Sequence, residues 1–174
     1  MTSNDPIFSI NASPAKINEI ENHEQQGWQL MNASLLTNLM QLAMQQTGAD
    51  RAVACDNNLA VIAAVNLDQE ELLAEQLTNL LRVAIAKGEA VVANNAVKEA
   101  ADAPHTKTSY DNLRGIVIIP VPGQGAVYLD RPLKQGIIAK SVVNKLVKLA
   151  RQSAQNNQTE PTESQLKEMY QQIS

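Results

Sequence analysis

Apolar positions along this chain switch between a helical period and an alternating or continuous strand pattern, and the switches mark out its elements. Leu35, Leu39, Leu42 and Gln46 fall at helical spacing, with Leu36, Met40 and Ala43 beside them. That pattern predicts a helix over Asn32–Thr47, ended by Gly48 at the position where a left-handed C′ glycine belongs. Arg51–Asp56 and Leu59–Val65 read as two strands rich in Ala and Val, joined by Asn57-Asn58, a residue type that tolerates positive φ in a tight turn. Asp68–Lys87 returns to the helical period, with Leu72, Leu73, Leu77, Leu80, Leu81, Ala84 and Ile85 forming a broad apolar face. Asp68 with Glu71 three residues on is the pattern of a capping box. Ala90–Ala93 reads as a short strand, Val97–Ala101 as one or two helical turns, and Asp102–Asn112 as a loop.

Arg114–Pro120 and Gly125–Asp130 form a second hairpin, with Pro122-Gly123-Gln124-Gly125 as its turn. Ile116–Ile119 is a continuous β-branched run, which predicts a central strand covered on both faces. A last domain helix follows over Ala139–Asn156, carrying Val142, Val143, Leu146, Val147, Leu149 and Ala150. The order is helix, hairpin, helix, strand, loop, hairpin, helix. Hairpins mean antiparallel pairing, so the fold class is α+β: a five-stranded antiparallel sheet with flanking helices.

The ends are thinner. Met1–Pro14 is polar with no sustained period and reads as an arm; Ser13-Pro14 then opens a polar helix over Ala15–Gln26. Gln155–Pro161 is a polar linker, and Thr162–Ile173 a short amphipathic helix with Leu166, Met169, Tyr170 and Ile173 on one side. The organisation expected is an arm and polar helix over residues 1–30, one folded domain over 31–157, and a linker with a short helix over 158–174.

Composition narrows the function classes. The chain has 174 residues, enough for one core without metal or disulfide support. Apolar residues make up 44% but aromatics only 3%, so the core is aliphatic. The lone Cys55 cannot staple the fold and suits a reducing compartment. With no secretory leader and no apolar run near ~18 residues, the expectation is a soluble, cytoplasmic protein with no membrane insertion. A net charge of −4 argues against nucleic acid as a partner. The charge is uneven: no acidic residue occurs between Arg131 and Thr159, while Asp68–Glu75 carries four acidic residues and no basic one. Such asymmetry guides partner docking or self-association.

Three segments carry a family resemblance: Leu42–Ala54 (LAMQQTGADRAVA), Gly88–Asn95 (GEAVVANN) and Leu113–Leu133 (LRGIVIIPVPGQGAVYLDRPL). In order and spacing they resemble the GAF domain family, over about Leu35 to Ala150. The resemblance implies a strand order of 2-1-5-4-3, with the Leu35 and Val142 helices on one face and the loop between strands three and four on the other, where the family holds its ligands. That loop, about Asn94–Asn112, is short. An Asn-Lys-Phe-Asp-Glu-type signature and a lid cysteine are both absent, and one cysteine is too few for the reductase members.

Candidate chemistry is sparse. Cys55 reads as a small buried strand residue, with no neighbour to lower its pKa. His105 sits in a polar loop and His23 on a polar helix, and neither has a second ligand for a metal. Asp130 beside Arg131 reads as a local ion pair fixing the exit turn. No Ser-His-Asp or Cys-His arrangement has workable spacing, so the expectation is a non-enzyme without cofactor or metal. Interaction candidates are Trp28 and Met31 before the core, Leu166, Met169 and Tyr170 after it, and the basic stripe Lys145, Lys148, Arg151. The function expected is a non-catalytic module for protein–protein interaction, assembly or regulation, with a protein partner or a homodimer formed through the terminal helices. A small-molecule-sensing signalling domain is the alternative.

Overall fold

The computed structural model describes residues 33–97, 113–156 and 161–174. The N-terminal arm and polar helix, most of the loop before Leu113, and both histidines lie outside the described residues.

Helix α1 spans 33–47, and Gly48 ends it at φ 66°, with its N–H donating to the Met44 oxygen. Strands β1 (Arg51–Asp56) and β2 (Val61–Val65) form the first hairpin. Its loop is longer than two residues, and Leu59 rather than an asparagine takes the positive φ, 66°. The reason is a turn over Asp56–Leu59 whose last residue is left-handed, which the Asp56 carboxylate holds by accepting from the N–H groups of Asn58 and Ala60.

The expected helix over Asp68–Lys87 is two helices, α2 (Gln69–Leu73) and α3 (Glu75–Lys87), broken at an extended Ala74. The capping box of Asp68 and Glu71 forms as expected. The break has a packing reason. In one continuous helix, the five-residue step from Leu72 to Leu77 would separate them by about 140° around the axis. Broken, both pack against the same apolar cluster.

Strand β3 (Val91–Val97) runs past the expected end and takes Val97 from the helical turns predicted there. Strands β4 (Leu113–Val121) and β5 (Gly125–Pro132) form the second hairpin. Gly125, at φ 147°, opens β5 so close to β1 that a Cβ there would lie 2.0 Å from the Cys55 oxygen. Helix α4 (Lys140–Gln155) follows, and then α5 (Glu163–Gln172), started by a Thr162–Gln165 capping box.

The sheet is antiparallel in the order β2-β1-β5-β4-β3. Alternation along the strands divides the interior into two layers. On one face, Val117, Ile119, Val127 and Leu129 pack with Leu36 and Leu39 of α1, Leu146 and Leu149 of α4, and Leu166 and Tyr170 of α5. On the other, Ile116, Ile118, Ala126, Tyr128, Val53 and Cys55 meet Leu77, Leu81 and Ala84 of α3. The Ile116–Ile119 run is covered on both faces, as its composition predicts. Helix α5 shares the core of α1 and α4: Leu166 is 0% exposed, which contributes about 1.5–3 kcal/mol. No helix of the described residues is long and apolar enough to cross a membrane.

Candidate functional site

The sheet face under α2 and α3 carries one concentrated group of ionisable side chains. Its centre is Asp130 on β5, fully buried. Adjacent residues of a strand point to opposite faces, so Asp130 and Arg131 cannot pair as the sequence suggests. Arg131 donates instead to the main-chain oxygens of Thr47 (2.7 Å) and Gly136 (3.0 and 2.8 Å), on the α1 side. Asp130 takes its two arginines from neighbouring strands and a tyrosine from its own. Arg51 is its cross-strand partner on β1 and donates Nε to Oδ1 (2.9 Å) and Nη2 to Oδ2 (2.7 Å). Arg114, diagonal on β4, donates Nε to Oδ1 (2.6 Å). Tyr128, two residues back along β5, donates its hydroxyl to Oδ2 (2.6 Å).

The network continues outward. Arg51 Nη1 donates to Glu71 Oε1 (2.7 Å), joining the cluster to the capping box of α2, and Arg114 Nη2 pairs with Asp50. Two guanidiniums thus face three carboxylates. Asp130 holds the Arg51 guanidinium even more firmly protonated than usual, against the opposing cost of burial. Burial drives the Tyr128 hydroxyl well above its ordinary pKa, and the Asp130 charge and hydrogen bond add to this. Cys55, on the same face, is pushed up to about 11, chiefly by burial. Its thiol is therefore neutral and unreactive at neutral pH.

Beside the cluster is an open cavity of about 300 Å³. Leu67, Leu77, Leu80 and Ile116 give it apolar lining, and Arg51, Arg114 and Tyr128 polar lining. Among the described residues no group of His, Cys, Asp and Glu is arranged to hold a metal ion.

The interaction candidates scatter. Trp28 and Met31 lie outside the described residues. Leu166 and Tyr170 are buried in the chain's own core and Met169 packs against it, so with α5 docked these side chains face inward. Lys145 lies over the Tyr170 ring, 5.8 Å from its centroid. Lys148 donates to the Ser174 oxygen (3.0 Å) and Arg151 to the Gly88 oxygen (3.3 Å). Arg51, Arg114, Tyr128 and the cavity are absent from the sequence-based candidates. The signal that finds them is the cross-strand register, which sets Arg51 and Arg114 around Asp130.

No protein-family model matches the chain. No curated protein matches it either. Among solved structures, Myxococcus xanthus MglB aligns with 80% of this chain and 92% of its own length, at 11% identity and a TM-score of 0.36. A likeness that distant carries no argument.

Proposed function

We propose that this chain is a non-catalytic, GAF-like module that acts in the cytoplasm by binding, in protein–protein assembly or regulation. The observation that carries the reading is the state of the Asp130 cluster. Its carboxylate accepts from both arginines and the tyrosine, Tyr128 is held neutral, and the nearby thiol is neutral too. A general base needs a free lone pair and a pKa near the working pH, and a nucleophile needs an activating neighbour. These groups are instead committed to holding three strands together. The sheet order and the pairing of α1 with α4 on one face are those the GAF resemblance implies, and support it.

Native mass spectrometry of the gently purified full chain tests the reading. A second copy, or a foreign subunit in fixed ratio, is the expected result. A chain that stays a bare monomer at every concentration counts against it. The 300 Å³ cavity favours a second reading, a small-molecule sensor. A small added mass, lost when Leu77→Arg fills the cavity, is its distinguishing outcome.

A further inference from the structure

The two charge runs of the sequence lie on opposite faces of the sheet. Helix α4 carries Lys140, Lys145, Lys148 and Arg151 and no acidic residue. It packs with the α1 layer. Glu70 of α2 and Glu75 at the start of α3 follow Asp68, with no basic residue among them, on the other layer. A sheet with a helix on each face puts the two sets roughly 20 Å apart, beyond the ~8 Å screening length of physiological salt. They cannot neutralise one another within one copy.

Both sets are also available. Among the described residues, none of the four basic side chains of α4 is in an ion pair with an Asp or Glu. The contacts of Lys148 and Arg151 with main-chain oxygens leave further N–H donors on each. Glu70 and Glu75 are exposed and likewise in no ion pair. The outer side of α4 borders a groove of about 560 Å³, lined by Lys145, Val147, Lys148 and Arg151, with Glu89 as its one acidic side chain. The α2–α3 break at exposed Ala74 makes a corner with Glu70 and Glu75 on either side of it.

We propose that a second copy of this chain docks its α2–α3 corner, through Glu70 and Glu75, on the Lys145–Lys148–Arg151 face of α4. The inference rests on the binding-module reading and names the partner. The two surfaces differ, so each copy keeps one free surface of each kind. Association is head-to-tail and continues beyond two copies unless the rotation closes a ring.

A charge-swap experiment on the full chain decides it. One variant carries Lys148→Glu and Arg151→Glu, the other Glu70→Lys and Glu75→Lys. All four positions are exposed, and circular dichroism checks that both variants fold. Sedimentation velocity at about 50 mM salt is expected to show wild-type species above the monomer that grow with concentration and dissolve at about 500 mM. Each variant alone is expected to be monomeric at the same loading, because its two surfaces have like charge. Mixing the variants one to one restores association, because each then supplies what the other lacks. A wild type that stays monomeric at low salt overturns the inference, as does association that survives both reversals or fails to return on mixing. A chain that is monomeric alone yet holds a foreign subunit in native mass spectrometry would overturn only this inference and leave the binding-module reading standing.

Discussion

Asp130 has no exposed surface, yet four donors from three side chains meet its carboxylate. A buried charge persists only when paired and hydrogen-bonded, and its loss strands its partners. Asp130→Asn leaves two guanidiniums without their central counter-charge. With Arg51 and Arg114 each about one-fifth exposed, the expected loss is at the lower end of the buried-pair range, about 3 kcal/mol by urea unfolding. Tyr128→Phe removes one donor and leaves the ion pairs, so about 1.5 kcal/mol is expected. A Tyr128→Phe loss equal to that of Asp130→Asn would mean the hydroxyl, not the charge, anchors the cluster. Cys55 sets a pH window. Its folded pKa of about 11 lies above the reference value of 9.0, so the folded state holds the proton more tightly. That stability is fully present below pH 9 and falls as pH rises toward 11, by roughly 2–3 kcal/mol. Tyr128, also raised, adds to the fall above the usual tyrosine range. Unfolding measured between pH 9 and 10 isolates the thiol, and Cys55→Ala is expected to flatten that part of the curve.

At the scale of elements, the two capping boxes and the docking of α5 differ in weight. Asp68→Ala removes one exposed cap and costs about 1 kcal/mol. Leu166→Ala opens a hole between α5, α1 and α4 and costs about 3 kcal/mol, with α5 amides exchanging faster than those of β4 and β5. Equal exchange of α5 and the central strands in that variant would show that α5 does not depend on Leu166. Most elements were legible in the chain. Period and turn chemistry mark α1, both hairpins and α4, and β1 has its expected bounds. What was not legible depends on the third dimension. Nothing in Gln69–Leu77 breaks a helix; Ala74 is extended because Leu72 and Leu77 must reach one sheet face. The hairpins fix β1 beside β2 and β4 beside β5, but not β1 beside β5, so the partners of Asp130 could not be read from its neighbours. The strand order entered through the family resemblance, and without register even that order does not set Arg51 opposite Asp130.

For the whole molecule, the sheet is two hairpins sewn along one seam, with β3 added at the β4 edge. The β1–β2 and β4–β5 turns close small loops, whereas the seam joins Arg51 to a residue 79 positions away. Closing a long loop costs entropy before its contacts form, so pairings of this separation are slow steps in folding. The Asp130 cluster spans that seam and loses its water only when the seam closes. A late-closing latch of this kind governs how long the native state lasts more than how fast it is reached. In stopped-flow chevrons, Asp130→Asn is expected to raise the unfolding rate by most of its stability loss and to leave the refolding rate nearly unchanged; a slowed refolding limb instead would place the seam in the folding nucleus. The charged cluster that ties β1, β5 and β4 together is thus this chain's clock.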